Sequence, residues 1–151
     1  MNVYLADEQD EPLGTSALRR LAEQVLEVER LPAGTEVSIL FVTPSQITEY
    51  NERFMQREGP TDVLAFPLEA MEPGSVPEPV TNGPPLNLGD VVIAPAYVRS
   101  RAEEAGVRFE DEMAALVVHG LLHLLGYDHA EDTDADLMEQ RERDLLALVA
   151  S

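Results

Sequence analysis

The histidines are the feature that most constrains this chain. All three histidines of the 151-residue chain fall in one run, HGLLHLLGYDH, from His119 to His129. His119 and His123 are four residues apart, so on a helix their imidazoles project from one face. Gly126 can adopt the left-handed conformation that ends a helix and would return His129 towards the first two. The run therefore predicts a helix, a turn and three converging imidazoles.

Three converging imidazoles predict a zinc site. Three histidines with an open fourth position are a usual way of holding catalytic zinc. The chain contains no cysteine, which removes the thiolates typical of structural zinc. The alternative is a set of core histidines beside leucines, and it requires a separate hydrogen-bond partner for each ring nitrogen. We therefore predict one Zn²⁺ ion held by His119, His123 and His129.

The charge of the chain limits how it can meet a nucleic acid. The formal net charge is −19, and all ten basic residues are arginine. Because nucleic-acid-binding proteins usually carry a basic surface, any contact with RNA is expected to be local and to depend on a few arginines. The arginines that can cluster are Arg53 and Arg57, and Arg99, Arg101 and Arg108. For any one of these arginines, the alternative to RNA binding is a position on a solvated helix face.

Length and apolar content predict one soluble domain covering residues 1–151. No apolar run approaches the roughly 20 residues needed to cross a bilayer. The first residues lack the basic start and apolar stretch of a secretion signal. We therefore expect a cytoplasmic protein with no membrane partner.

Periodicity and turn residues predict the order of helices and strands. Strands are expected at 2–6, 36–42, 62–68 and 89–94; the first suits a sheet edge, and Pro67 indicates either an edge or an interruption for the third. Helices are expected from Thr15 or Ser16 to 30, then at 44–54, at 95–106, from 109 through the histidines, and at 133–148. The stretch 71–88 holds five of the eleven prolines and predicts a long surface loop. The expected fold class is α+β: a single mixed β-sheet of about four strands covered by about five helices, with the three-histidine site on a helix and the following turn.

Two helices carry more specific signals. Thr43, Pro44 and Gln46 predict a capping box with proline in the first turn. In the last helix the apolar spacing predicts four residues turned inward. These are Leu137, Met138, Leu145 and Leu148.

The histidine run is close to the extended zincin signature HExxHxxGxxH of the metzincin peptidases, with one difference. Gly120 stands where those enzymes carry the glutamate that acts as general base. General acid–base help is worth about 10²–10⁴ in rate. A metzincin-like metallopeptidase lacking its glutamate base therefore remains an alternative that assays of peptide against RNA would distinguish.

With its glycine, the run resembles the signature of the YbeY family of bacterial rRNA maturation factors. Two further blocks, PTDVLAFP at 60–67 and LGDVVI at 88–93, resemble the family in the same order. The resemblance covers most of residues 35–145, and the proline-rich stretch matches poorly. It implies a zinc-dependent, single-strand-specific endoribonuclease acting in maturation of the 3′ end of small-subunit rRNA and in ribosome quality control. The implied partners are single-stranded rRNA and the small ribosomal subunit or its proteins, and the implied metal ligands are the three histidines.

One position departs from the family pattern. The family often carries an arginine shortly before the proline-threonine block, where this chain has Met55, flanked by Arg53 and Arg57. Our hypothesis is that Arg53 or Arg57 contacts the RNA phosphate instead. Asp128 is a further candidate that either orients an imidazole or water, or simply caps the turn. Asp62 can line the site or serve as an ordinary turn residue.

A non-enzymatic role is the remaining alternative. In that case the zinc is structural and the protein is a ribosome assembly factor whose acidic surface docks on a basic ribosomal protein. The net charge of −19 favours this hypothesis. A His119→Ala variant that folds, binds its partner and still supports rRNA processing would support it.

Overall fold

The computed structural model describes residues 1–75 and 83–149. Over these residues the chain forms one four-stranded mixed sheet and five helices, which confirms the predicted α+β class. The elements are β1 (Asn2–Asp7), α1 (Thr15–Val28), β2 (Glu36–Phe41), α2 (Pro44–Phe54), β3 (Val63–Pro67), β4 (Asn87–Ile93), α3 (Pro95–Ala105), α4 (Phe109–Leu124) and α5 (Asp132–Val149). Among these helices none combines the length and apolar character that a bilayer span requires.

The sheet has the strand order β1-β2-β4-β3. β1, β2 and β4 run parallel, and β3 pairs antiparallel with β4. The first and third strands are therefore the edges, the first as predicted, and Pro67 lies on an edge strand where a missing N–H is tolerated. β4 begins at Asn87, two residues before the predicted start, which shortens the predicted loop 71–88. Residues 76–82 of that loop lie outside the described residues.

The sheet separates a large core from a small one. On one face, Val37 and Ile39 of β2 are buried in the large core, which also contains residues of α1, α4 and α5. On the other face, Val92 of β4 packs with Leu64 and with Ile47 of α2. β2 alternates between half-buried and fully buried residues, as expected of a strand whose two faces meet different environments.

α4 is the central helix, in contact with β3, β4, α1, α3 and α5. It lies close against the sheet at Gly120, where an added Cβ would lie 2.5 Å from Cγ1 of the buried Val91. Because the valine side chain is branched and stiff, only a residue without a Cβ fits there unstrained. Gly120 thus sets the spacing between the histidine-bearing helix and β4.

Two details of the helices differ from prediction. The N-cap of α1 is Gly14, with no side-chain hydrogen bond, so the predicted cap at Thr15 or Ser16 is wrong. A short polar side chain can cap only from a residue outside the first turn, and both residues lie inside it.

The apolar face of α5 is narrower than predicted. Met138 and Leu145 are buried, but Leu137 and Leu148 are exposed. The inward face is shared with two charged residues at helical spacing, Arg141 and Glu142, both partly buried. Arg141 pairs with Glu29, directly after α1, and Glu142 contacts His119 on α4.

Replacing Gly120 by alanine should destabilise the protein. We expect a loss of about 1–3 kcal/mol in the free energy of unfolding, the usual cost of overpacking a core. Urea denaturation measures this, and the control is the same substitution in a Val91→Ala background. There the substitution should cost much less, because the methyl groups it meets are gone. An equal cost in both backgrounds would contradict the packing described for Gly120.

Candidate metal centre

A Schellman turn ends α4 and directs the chain back towards the first two histidines. The N–H of Gly126 donates to the carbonyl of His123 at 3.1 Å, and the N–H of Tyr127 donates to Leu122 at 3.0 Å. Gly126 has φ +99°, and a Cβ there would lie 2.2 Å from the carbonyl oxygen of Met71. Glycine is therefore required twice, by the backbone conformation and by the close approach of the segment after β3.

Two hydrogen bonds on the outer sides of the rings orient the helical histidines. Nδ1 of His119 contacts a carboxylate oxygen of Glu142 on α5. Nδ1 of His123 lies 3.1 Å from the carbonyl oxygen of Tyr127, in the turn itself. A carboxylate and a carbonyl only accept, so each Nδ1 carries the proton and each Nε2 is left with a lone pair. The two Nε2 atoms lie 3.1 Å apart.

The third histidine completes a cluster that can hold a metal ion. Ligand atoms of His119, His123 and His129 all lie within 4.8 Å of one another. Two nitrogens bound to a tetrahedral zinc ion at about 2.0–2.1 Å stand about 3.3 Å apart, close to the separation of the two helical Nε2 atoms. His129 is exposed, and the two helical histidines are partly buried. The donor set and its spacing fit a zinc ion with one side open.

The local electrostatics favour a neutral imidazole at His123. Burial lowers the pKa of His123, and the nearby His119 and His129 rings lower it further. A neutral ring is the form that binds a metal, because a protonated imidazole has no lone pair left.

The histidines line one end of a cavity of about 680 Å³. The other lining residues come from the end of α2, the loop that follows it, β3 and the turn after α4. They are Asn51, Met55, Arg57, Glu58, Pro60, Thr61, Asp62, Val63, Leu64, Ala65, Pro67 and Asp128. A cavity of this size lies within the range of about 300–1,000 Å³ that is usual for small-molecule sites.

The loop between α2 and β3 is fixed by Asn51, which is buried. Its backbone carbonyl accepts from the N–H of Met55 at 3.0 Å and from the N–H of Arg57 at 3.2 Å. Its side-chain amide donates to the carbonyl of Gly59 at 3.0 Å. Gln56 and Gly59 both take positive φ values, which fold the loop tightly. Asn51 thus holds the loop that carries Arg57 to the cavity wall.

The predicted arginines occupy different places. Arg57 lines the cavity, whereas Arg53 is exposed on α2 and pairs with Glu49 at 3.7 Å. Arg99 pairs with Glu11 and lies over the ring of Phe109 on the surface away from the cavity lining. Arg57 is the arginine among the described lining residues.

The two predicted aspartates both line the cavity and both hold backbone groups. Asp128 accepts from the N–H of the next residue, His129, at 2.7 Å. Asp62 accepts from the N–H of Val63 at 2.8 Å. In each case one carboxylate oxygen is engaged in this bond, and the group as a whole faces the cavity.

Two residues of the site were not foreseen from the sequence. Glu142 lies 23 residues after the histidine it contacts, so spacing within the run gives no signal for it. Asn51 lies four residues after the buried Ile47, on the same face of α2, and a polar residue on the apolar face of a helix is the sequence signal for it.

The fold and the site define an α+β protein whose histidine cluster can hold a metal ion at the wall of a cavity of about 680 Å³. The sequence model of the family Endoribonuclease YbeY matches residues 4–150. An Endoribonuclease YbeY of Thermobifida fusca is 40% identical over 147 residues, covering 97% of this chain and 93% of the relative. One from Exiguobacterium sibiricum is 35% identical over 150 residues, covering 97% and 94%. A solution structure of a Thermotoga maritima protein superposes with a TM-score of 0.62 at 30% identity, covering 95% and 86%.

The chain therefore belongs to the YbeY family of endoribonucleases, which are hydrolases. The match reaches further towards both ends of the chain than the resemblance noticed in the sequence, and it includes most of β1 and all of α1 and α5.

In the metal-free protein, the ring of His123 should titrate below the ordinary histidine value of about 6.5. Because its pKa is lowered in the folded state, the unfolded chain binds the proton more readily. The free energy of unfolding should therefore fall as the pH drops from about 6.5 through the folded-state pKa. The pKa of His123 is measured from its ring proton shifts in an NMR titration. A midpoint at or above 6.5 would contradict it.

Proposed function

We propose that this chain is a zinc-dependent endoribonuclease that cleaves single-stranded RNA. We further propose that it acts in the cytoplasm, as one domain spanning residues 1–151, in maturation of the 3′ end of small-subunit rRNA and in ribosome quality control. Its partners are then rRNA and the small ribosomal subunit or ribosomal proteins. The observation that carries the proposal is the pair of oriented Nε2 atoms beside a cavity that also contains a cationic side chain.

Each part of the site has a task in phosphodiester hydrolysis. His119, His123 and His129 would hold one zinc ion, which when bound supplies Lewis-acid chemistry by polarising a phosphoryl oxygen and lowering the pKa of water. Arg57 would pair with the phosphate that enters the cavity and offset the negative charge that builds up on it. The planar guanidinium suits two phosphate oxygens at once.

The aspartates are placed to handle a proton or a water molecule. Asp62 and Asp128 face the cavity while one oxygen of each carboxylate accepts a backbone N–H. That hydrogen bond fixes the carboxylate, and its second oxygen can accept a hydrogen bond from water. We propose that Asp128, next to the third ligand, orients water and that Asp62 lines the path of the RNA.

The environment of Gly120 argues against peptidase chemistry. In the zincin pattern this position carries the glutamate that takes the proton. Here it faces Val91 of β4, with no room even for a Cβ. A carboxylate at this position would enter the core instead of the cavity. Hydrolysis by this chain must therefore use other groups, which supports RNA as the substrate over a peptide.

A non-enzymatic assembly role is the second candidate, and it rests on the net charge of −19. Such a charge repels RNA at long range and attracts basic proteins. The two roles are compatible, since an acidic surface can dock the protein while the cavity acts on the RNA.

Replacing any of the three histidines by alanine should abolish stoichiometric zinc binding and RNA cleavage together. We expect cleavage of a single-stranded RNA to fall by more than about 100-fold, beyond the 10–100-fold typical of losing an outer-sphere contact. Metal analysis and a cleavage assay with and without a chelator measure the two effects. A metal-free wild-type protein that still cleaves RNA would refute the zinc-dependent mechanism.

Arg57 and Arg53 form a matched pair on the same segment. Arg57→Ala should lower cleavage by on the order of 10²-fold, because a charge that stabilises the transition state is lost. Arg53→Ala should change it by less than about twofold, as expected for an exposed helix residue. Cleavage rates at several salt concentrations measure both. Equal rates in the two variants would show that Arg57 does not contact the phosphate.

A further inference from the structure

The C-terminal helix α5 contributes a residue to the metal centre, although the histidine run ends before this helix begins. Glu142 on α5 contacts Nδ1 of His119, opposite the nitrogen that faces the cavity. Both side chains are mostly shielded, with 27% of His119 and 21% of Glu142 exposed. A hydrogen bond shielded in this way holds its geometry better than a surface ion pair, which water and salt weaken.

We propose that Glu142 is a positioning residue that fixes the ring orientation and the tautomer of His119, so that Nε2 is presented to the metal ion. Glu142 accepts the Nδ1–H of His119 and does not touch the metal or the RNA. The inference rests on the proposed metal-dependent function. An acceptor behind a metal-binding histidine typically contributes 10–100-fold to metal affinity.

The position of Glu142 is held by its neighbours on α5. One turn before and one turn after it, Met138 and Leu145 are buried in the large core. Arg141 pairs with Glu29 at the end of α1 at 2.6 Å. Because these two buried residues and this ion pair lie within two turns, α5 cannot slide or rotate without breaking several of the contacts. The carboxylate is therefore preorganised behind His119 before any metal arrives.

The two helical ligands are oriented by groups of different kinds. The acceptor behind His123 is the backbone carbonyl of Tyr127, which no substitution removes directly. The acceptor behind His119 is a side chain, so its contribution can be measured. Its distance from the histidine run makes it the link between α5 and the metal centre.

The first test uses the metal-free protein and needs no activity. The chain has three histidines, so ¹⁵N NMR of the imidazoles can assign the tautomer of each ring. In the wild-type protein at neutral pH, His119 should carry its proton on Nδ1. In Glu142→Ala the proton should move towards Nε2, the form that free histidine prefers. Glu142→Gln should keep the wild-type tautomer, because its amide oxygen can accept the same hydrogen bond.

The second test measures metal affinity by competition with a chromophoric chelator, using zinc alone. We expect Glu142→Ala to bind zinc about 10–100-fold more weakly than the wild type, with Glu142→Gln in between. The visible spectrum of the cobalt-substituted protein reports whether His119 remains a ligand. The matched control is Glu139→Ala, which removes an exposed carboxylate from the same helix and should leave affinity and tautomer unchanged.

The outcomes separate the inference from the function on which it rests. If the wild type binds zinc and Glu142→Ala binds it equally well with the same tautomer, the positioning role is refuted and the metal centre stands. A wild-type His119 protonated on Nε2 refutes it too, whether or not the alanine variant folds. A wild type that binds no zinc overturns the metal centre and the inference together. Weaker binding in Glu139→Ala as well would show that the effect is one of charge and not of position.

Discussion

The turn at Gly126 is the constraint on which the rest of the site depends. α4 delivers two histidines from one face of a helix, but a third can join them only if the chain reverses within a few residues. The Schellman hydrogen bonds of Gly126 and Tyr127 make that reversal. The carbonyl of Tyr127 then accepts from His123, so the turn that brings in one ligand also orients another. The backbone of this turn therefore sets both the position of His129 and the orientation of the His123 ring.

Around that turn, the metal centre is assembled from three layers of the fold. The central layer is α4, held at a fixed distance from β4 by Gly120 and Val91. One outer layer is α5, which supplies a carboxylate to His119. The other is the loop after α2, which brings a cationic residue to the cavity. α4 and α5 are held by apolar packing in the large core, whereas the loop after α2 is held by the hydrogen bonds of Asn51.

Much of this could be predicted from the sequence because the signals are local. Helix periodicity, the capping box at Thr43 and the glycine after the leucines each involve a few neighbouring residues, and the elements they predict are present. The predictions that failed depend on contacts between elements that are distant in the sequence. Leu137 is predicted to be buried because it lies at helical spacing from other apolar residues of α5, but it is exposed. The inward face of α5 instead carries charged residues whose partners lie outside this helix.

The choice between Arg53 and Arg57 shows the same limit. Both flank Met55, and spacing alone treats them equally. What separates them is the bond from the N–H of Arg57 to the carbonyl of Asn51, in a loop with two residues at positive φ. Gln56 is one of those two, and a glutamine does not by itself predict a positive φ. Contacts with residues elsewhere in the fold set the conformation of such positions, and a single sequence does not reveal these contacts.

The anchoring of α2 at both ends has a consequence for how this chain can change in length. The helix begins at a capping box beside the end of β2, and in its last turn Asn51 makes the hydrogen bonds that fix the loop that follows. One residue inserted between these points would turn everything after it by about 100° and advance it by about 1.5 Å. The arginine would then leave the cavity wall, although no catalytic group had been replaced. We expect insertions and deletions to be rare in α2 throughout evolution and to accumulate in the proline-rich stretch between β3 and β4.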